Sequence, residues 1–147
     1  MIPNKICPLV FRRVDQILEI LVFEHPLAGY QLVKGTIEPG ESIELSALRE
    51  LEEESGIKSA HVTRHLGVWD SGFEGQIWAF VECIPNQPYP DSWIHQTPDD
   101  GGHAFRLFWH PLFGHVNVNE WHPVFQRALG FIQDFYENRN SDIHGCI

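Results

Sequence analysis

Apolar residues in the first quarter of the chain gather in short runs typical of buried β-strands. Two runs rich in Ile, Leu and Val stand at 6–12 and 16–23, and apolar runs of this length between turn residues indicate strands. A turn that contains Pro26 and Gly29 follows the second run, and a further short strand is expected at 30–33. We therefore predict three strands before the first glycine-rich loop.

The next segment predicts a loop over 35–41 and an amphipathic helix from Ser42 to Ser55. Ser42 suits the N-cap, and Glu44 stands in the first turn, where the helix dipole favours negative charge. Gly56 suits the left-handed residue that commonly follows a last helical turn. The apolar stripe expected to anchor this helix to a sheet consists of Leu45, Leu48 and Leu51.

The second half of the chain predicts more strands and a last helix. Strands at 61–71 and 76–84 flank a turn with two glycines, which indicates a hairpin. The proline-rich stretch 85–103 is expected to be a long irregular loop, followed by a strand at 104–110. Pro123 is a suitable first residue for the helix that follows. The order of strands, helix, strands and helix predicts an α/β fold with a sheet between helices.

Length and composition indicate one globular domain over 1–147. Hydrophobic residues make up 43% of the chain and charged residues 20%, which is the balance of a folded domain. Apolar runs of 18 residues are missing from the sequence, and the first ten residues lack the apolar stretch of a secretory signal, so we expect no membrane span. The cysteines are odd in number and widely spaced, which favours free thiols and a cytoplasmic location. They are Cys7, Cys83 and Cys146.

The net charge of −10 argues against broad binding to nucleic acid, whose phosphates an acidic surface repels. Over the sixteen strand-like residues from His61 onward, aromatic and basic residues are not interleaved, so no extended nucleic-acid groove is expected. Seven glutamates fall between residues 38 and 54. Such a cluster can attract divalent cations, which can in turn bring phosphates, although a solvated helix face is the plainer interpretation.

Three of these glutamates share one helix face. Glu50, Glu53 and Glu54 stand at i, i+3 and i+4, where like charges destabilise a helix unless a cation sits between them. Hard oxygen ligands suit Mg²⁺ or Mn²⁺. The loop at Gly35 could add a backbone carbonyl, and Arg49 could brace a carboxylate or contact a phosphate.

The same segment carries a specific motif. Residues 35–57 read GTIEPGESIELSALRELEEESGI and resemble the 23-residue box of the Nudix hydrolases. That box is Gly, five residues, Glu, seven residues, then Arg-Glu-apolar-any-Glu-Glu-any-Gly-apolar. A chance match at one start position has a probability on the order of one in a hundred million or less. All nine defined positions match: Gly35, Glu41, Arg49, Glu50, Leu51, Glu53, Glu54, Gly56 and Ile57.

The resemblance implies a Nudix fold, a mixed β-sheet sandwiched between helices, and a function. The implied reaction is metal-dependent hydrolysis of a pyrophosphate bond, by water attack on phosphorus, in a nucleoside diphosphate linked to another moiety. The residues implied as ligands of Mg²⁺, or of Mn²⁺, are Gly35, Glu50, Glu53 and Glu54. The implied catalytic group is Glu50, Arg49 and Glu53. Glu50 is the general base in some members and a loop residue is the base in others, while Glu41 and Arg49 resemble residues that hold the loop and helix.

Lys34 directly precedes the box. In members similar to the diadenosine tetraphosphate hydrolases, a Pro-Lys-Gly stretch stands here and the lysine faces phosphate. This chain has Val33 in place of the proline, so Lys34 is a candidate for binding the phosphates of a nucleotide-like substrate, with a surface lysine as the alternative. Because of Lys34, the resemblance favours dinucleoside polyphosphates among the substrates of the family.

Several alternatives stay open at this point. Asp99 and Asp100 could bind metal or activate water, although Asp-Gly is also turn chemistry. A non-catalytic nucleotide-binding or regulatory protein could use the same fold, but such proteins usually lack box carboxylates. An isomerase that acts on a prenyl diphosphate would need a cysteine and an acid, for which Cys83 and Glu82 are the candidates. Trp93 could stack on a nucleobase, and a homodimer is possible.

The nine histidines are interpreted as structural or surface residues rather than as a zinc site. His61 and His65 are four residues apart, but they lie in a predicted strand, where this is not ligand spacing.

Overall fold

The computed structural model describes residues 1–98 and 100–145, and for residue 100 and residues 139–145 only the backbone. Within this part of the chain the structure contains nine strands and two helices. They are β1 (Lys5–Leu9), β2 (Phe11–Val14), β3 (Ile17–His25), β4 (Gly29–Gln31), β5 (Gly35–Thr36), α1 (Ile43–Ser55), β6 (Ala60–Asp70), β7 (Ile77–Pro85), β8 (Ser92–Gln96), β9 (Ala104–Pro111) and α2 (Pro123–Gly145).

The strands form two sheets. One has the order β5-β1-β7-β6, and it is mixed because β1 runs parallel to β7 while the other pairs are antiparallel. The other has the order β2-β3-β9-β8, with β4 paired to β3, and all its pairs are antiparallel. The predicted mixed sheet is thus confirmed, and a second, antiparallel sheet accompanies it.

The central strands are buried on both faces, with one helix on each side. In β1, Ile6 belongs to the hydrophobic cluster under α1, whereas Cys7 belongs to the cluster under α2. Alternation continues in β7, where Trp78 joins the α2 cluster and Ala79 the α1 cluster. Successive side chains of a strand point to opposite faces, so this pattern puts the sheets between the two helices. The predicted α/β sandwich is confirmed.

Helix α1 begins and ends where the sequence predicts. Ser42 is the N-cap and its Oγ accepts a hydrogen bond of 3.1 Å from Leu45 N. Gly56 ends the helix with φ 81°, in the left-handed region that glycine adopts without strain.

The predicted leucine stripe on α1 is wrong at one position. Leu45 is 63% exposed, while Leu51 is fully buried. The buried face instead contains Ala47 and Leu51, because Leu45 lies two residues before Ala47, about 200° away around the helix. The buried face of α1 is therefore built mostly from smaller residues than the leucine spacing indicates: Ser46, Ala47 and Ser55 beside Glu50 and Leu51.

Strand β8 corrects the prediction of an irregular loop over 85–103. It pairs antiparallel with β9, from Ser92 opposite Phe108 to Gln96 opposite Ala104. Its sequence, SWIHQ, holds only two apolar residues, and the partly buried positions are Trp93 and His95. A strand whose inward side chains are an indole and an imidazole lacks the apolar alternation that reveals strands in a sequence.

The strand predicted at 6–12 is divided into β1 and β2, which belong to different sheets. The predicted loop 35–41 begins with the short strand β5, which forms by pairing with the distant strand β1, a contact that no local pattern indicates.

The remaining predicted elements agree with the structure. The hairpin is confirmed by β6 and β7, which pair from Ala60 opposite Pro85 to Asp70 opposite Ile77. Helix α2 begins at Pro123. In the part of the chain that the structure describes, neither helix combines the length and apolarity of a membrane span.

Candidate active site

Gly35 and Glu50 are in direct contact at the start of the box. Gly35 lies in β5, opposite Ile6 of β1. A methyl group on its α-carbon would come within 1.9 Å of Cδ of Glu50 and within 2.2 Å of both carboxylate oxygens. Glu50 itself is only 8% exposed. The glycine thus leaves the space that the Glu50 carboxylate occupies.

Arg49 joins the loop before α1 to the helix. Its Nε donates to Oε2 of Glu41 over 2.6 Å, and its Nη2 donates to Oε1 of Glu41 and to the carbonyl oxygen of Thr36, both over 2.8 Å. Oε1 of Glu41 also accepts from Glu38 N over 2.9 Å. The Arg49 guanidinium, and then the Glu38 amide, lower the pKa of Glu41 to about 2. The carboxylate of Glu41 therefore stays ionised and links the loop, at Glu38, to Arg49 on the helix.

The same guanidinium connects two candidate ligands. Nη1 of Arg49 donates to Oε1 of Glu50 over 2.8 Å and to Oε2 of Glu53 over 3.3 Å. Glu53 is 30% exposed, so its carboxylate lies at the edge of the site while Glu50 lies deeper. Arg49 offsets part of the repulsion between the two carboxylates.

Glu54 lies on the other side of Gly35. Its Oε1 accepts a hydrogen bond of 2.9 Å from the backbone N–H of Lys34. Glu50 and Glu54 therefore contact the consecutive residues Gly35 and Lys34, and Glu53 shares Arg49 with Glu50. The structure thus puts two of the predicted ligands, Glu50 and Glu54, against the chain at Gly35 and Lys34, and links Glu53 to Glu50 through Arg49.

The donor chemistry of this cluster fits Mg²⁺ or Mn²⁺. Carboxylate and carbonyl oxygens are hard ligands, and no side chain at Gly35 separates its backbone from the Glu50 carboxylate. Among the described side chains, however, no three His, Cys, Asp or Glu groups converge as a finished metal cage. Hydrogen bonds from Arg49 and from the Lys34 amide hold the carboxylates in their present directions.

Lys34 points into a partly buried aromatic setting rather than to bulk solvent. Its Nζ donates to Oε1 of Gln76 over 3.1 Å and lies 5.0 Å from the ring centroid of Trp78 and 5.7 Å from that of Phe125. Burial, and then the charge of Lys5, lower the pKa of Lys34. The plain surface lysine considered from the sequence does not describe this environment.

Gln76 is a neighbour of the site that the sequence does not reveal. Its Oε1 accepts from Lys34 Nζ and also from Trp78 Nε1 over 3.0 Å. Gln76 lies 42 residues from Lys34 in the chain. The parallel pairing of β1 with β7 brings the two together, and no local pattern predicts that pairing.

Strand β8 contacts the end of the ligand helix. Trp93 Nε1 donates to the carbonyl oxygen of Ser55 over 2.8 Å, and His95 Nε2 lies 2.9 Å from that of Glu53. The ring of Trp93 also packs against Tyr89, at 5.2 Å between centroids. Trp93 is therefore a packing residue beneath the helix rather than a free platform for a nucleobase.

The acidic pair before β9 is described only in part. Asp99 lies outside the described residues. Asp100 begins a short 3₁₀ turn, Asp100–Gly102, in which Gly101 has φ 75°. This backbone agrees with the turn interpretation of the Asp-Gly sequence.

Cys83 is buried in the core, and Glu82 is hydrogen-bonded to neighbouring side chains. Cys83 is 1% exposed, and burial raises the pKa of its thiol to about 12. Glu82 accepts hydrogen bonds from Arg64, Thr63 and the hydroxyl of Tyr136. A buried, protonated thiol next to a paired carboxylate does not provide the exposed acid and base that the isomerase alternative needs.

The two histidines of β6 have separate partners. His65 Nε2 lies 2.8 Å from Oε1 of Glu44, and His61 Nδ1 lies 3.1 Å from Oδ1 of Asn86. Their interpretation as surface residues agrees with these contacts.

Comparison with known proteins places this geometry in a family. The family model described as NUDIX domain matches residues 5–112. A segment of 41 residues is 51% identical to the ADP-ribose pyrophosphatase of Haemophilus influenzae, and it covers 28% of this chain and 19% of that protein. This chain therefore matches less than a fifth of that relative's length.

Solved structures agree in fold. The C. elegans Ap4A hydrolase superposes with a TM-score of 0.63 at 16% identity, over 93% of this chain and 98% of that one. A UDP-X diphosphatase superposes with a TM-score of 0.66 at 18% identity, over 95% of this chain and 65% of that one. The Nudix fold predicted from the box is confirmed. Since the family model spans β1 to β9 and includes the complete box, this chain belongs to the NUDIX domain family.

Proposed function

We propose that this chain is a Nudix-type pyrophosphohydrolase that cleaves a nucleoside diphosphate linked to another moiety, with Mg²⁺ or Mn²⁺. The observation that carries the proposal is the set of contacts that links the box carboxylates: Glu50 lies against Gly35, which has no room for a side chain, Glu54 accepts from the Lys34 amide, and Arg49 joins Glu50 to Glu53. A rigid group of like charges costs stability. Its presence is explained by a function that uses them together.

The groups that would hold the cation are the Gly35 carbonyl and the carboxylates of Glu50, Glu53 and Glu54. When bound, such an ion supplies positive charge that neutralises phosphate oxygens and acidifies water. Glu50 is nearly buried and fixed by Arg49, so it suits the role of the base that takes the proton from the attacking water.

Arg49 is proposed as a positioning residue. Its guanidinium makes five hydrogen bonds, to Glu41, Glu50, Glu53 and the Thr36 carbonyl. A guanidinium with its donors engaged in this way has little capacity left for a substrate phosphate. Its role in catalysis is to keep Glu50 and Glu53 in place.

Lys34 is proposed to bind a substrate phosphate. It has a desolvated ammonium group with an amide oxygen and two rings as neighbours, and a phosphate would be a stronger partner than these. Dinucleoside polyphosphates are the first substrates to test. ADP-ribose and UDP-linked compounds follow, because similar proteins are named for them.

The buried thiols Cys7 and Cys83 support a reducing compartment such as the cytoplasm. A homodimer is a separate proposal, which sedimentation of the purified chain would test.

The decisive experiment is product analysis with these compounds in Mg²⁺, in Mn²⁺ and in EDTA. Metal-dependent cleavage in the wild type, lost in Glu53→Gln, is the expected result. Glu52→Gln is the matched control, because Glu52 is an exposed neighbour on the same helix. Cleavage in H₂¹⁸O would identify the phosphorus attacked. Tight binding of a compound that is never cleaved would favour the non-catalytic nucleotide-binding alternative.

A further inference from the structure

The last turn of α1 is held from outside by two side chains of one neighbouring strand. Trp93 Nε1 donates to the carbonyl oxygen of Ser55, and His95 Nε2 lies 2.9 Å from the carbonyl oxygen of Glu53. Trp93 and His95 are two residues apart in β8 and share its inward face, while Ile94 between them is 65% exposed.

These contacts satisfy groups that a helix cannot satisfy itself. The last four carbonyls of a helix have no partner within it. In α1 the Gly56 amide donates to the carbonyl of Glu52 over 2.9 Å. The indole of Trp93 and the imidazole of His95 hydrogen-bond to two further carbonyl oxygens, those of Ser55 and Glu53. Since a carbonyl oxygen only accepts, His95 carries a hydrogen on Nε2 in this arrangement.

The imidazole also explains a second requirement for Gly56. A methyl group on Gly56 would come within 2.8 Å of Nδ1 of His95. The glycine therefore serves both the left-handed backbone, at φ 81°, and the close approach of the ring.

Trp93 is itself supported on its strand. Its ring packs against Tyr89 at 5.2 Å and against Trp109 at 6.5 Å between centroids, and Trp109 Nε1 donates to the carbonyl of Pro90 over 2.9 Å. The donor at the helix end thus projects from a packed aromatic group rather than from a loose loop.

We infer that His95 and Trp93 are positioning residues that fix the last turn of α1, and with it the carboxylates of Glu53 and Glu54. The inference rests on the proposed function, because it assumes that these carboxylates bind a divalent cation. Helix ends fray unless they are capped. A frayed last turn would let Glu53 move away from Glu50, whereas capped carbonyls keep the spacing that a shared ion needs.

The test measures Mn²⁺ binding to the full chain by electron paramagnetic resonance, without substrate. His95→Leu removes the donor and is expected to weaken Mn²⁺ binding roughly tenfold or more, as loss of groups that orient metal ligands commonly does. His95→Gln places an amide nitrogen near the position of Nε2, and is expected to restore binding to within about threefold of the wild type. Ile94→Ala, on the outward face of the same strand, is the matched control and is expected to bind like the wild type.

Trp93→Phe provides an independent variant that keeps a ring and removes only the N–H donor. Weaker Mn²⁺ binding in it, with a melting curve still cooperative, would support the inference even if His95→Leu does not fold. Wild-type affinity in folded His95→Leu or Trp93→Phe would overturn it. If instead the wild type itself binds no Mn²⁺, or Glu53→Gln binds it equally well, the ligand assignment of the proposed function fails as well.

Discussion

The carboxylate of Glu50 occupies the space that any side chain at Gly35 would need. Gly35→Ala is therefore expected to displace Glu50, reduce turnover at least tenfold and lower the free energy of unfolding by about 1–3 kcal/mol, the usual cost of overpacking. Steady-state kinetics and urea denaturation measure the two effects. Gly130→Ala is the matched control, because a methyl group there meets nothing beyond its own stretch of helix backbone within 4 Å. Equal activity of Gly35→Ala and the wild type would contradict the contact.

The ion pair between Arg49 and Glu41 predicts a measurable titration. The pKa of Glu41 lies near 2 instead of 4.5, so the stability it contributes is present above pH 4.5 and is lost as the pH falls toward 2. In Arg49→Lys the two-pronged contact is broken, and the Glu41 pKa is expected to rise toward its ordinary value. Carboxyl ¹³C NMR of both proteins measures it. An unchanged Glu41 pKa in Arg49→Lys would show that Arg49 is not the cause.

Removing the charge of Lys34 is expected to weaken substrate binding without destabilising the fold. Lys34→Met is expected to raise KM about tenfold, because a phosphate loses its partner, with a smaller change in kcat. The melting temperature is expected to stay the same or rise, since burial disfavours the lysine charge. Lys58→Met, at an exposed lysine, is the control and is expected to change neither quantity. An unaltered KM in Lys34→Met would remove Lys34 from the substrate site.

A hydrogen bond between α2 and β7, away from the candidate active site, is expected to stabilise the fold. Tyr136 donates a hydrogen bond to Glu82. Burial alone raises the pKa of Glu82, but the hydrogen bonds from Tyr136 and Arg64 outweigh it and hold the pKa below its ordinary value. Tyr136→Phe is expected to lower the free energy of unfolding by about 1–3 kcal/mol, because it removes one donor from a half-buried carboxylate.

Urea denaturation of Tyr136→Phe at pH 7 measures this loss. Tyr30→Phe removes a hydroxyl from a ring that packs on the same hydrophobic cluster and serves as the control. Equal unfolding midpoints for the two variants would show that the contact with Glu82 contributes nothing.

Local signals in the sequence account for the parts of the site that are close in the chain. Ser42 and Gly56 cap α1 as predicted, because cap preferences depend on one or two residues. The face shared by Glu50, Glu53 and Glu54 follows from helical spacing alone. The prediction extends to the family, since the box is a contiguous motif.

The parts that the sequence did not reveal depend on contacts between distant segments. Gln76 meets Lys34 only because β1 lies beside β7. Leu45 is exposed because the sheet underneath accepts the Ala47 face, which the leucine spacing does not indicate. Strand β8 is not predicted because its inward residues, Trp93 and His95, hydrogen-bond to the end of α1 and do not give the apolar alternation that marks a strand.

The backbone amide of Glu38 can report on the contacts that hold Glu41. It donates to Glu41, which Arg49 holds, and Arg49 also holds Glu50 and Glu53. Any opening that frees this amide for hydrogen–deuterium exchange with solvent must loosen the Glu41 link in that chain of contacts. The exchange rate of this one exposed loop residue would thus report how firmly Glu41 is held, on the side of the guanidinium opposite Glu50 and Glu53.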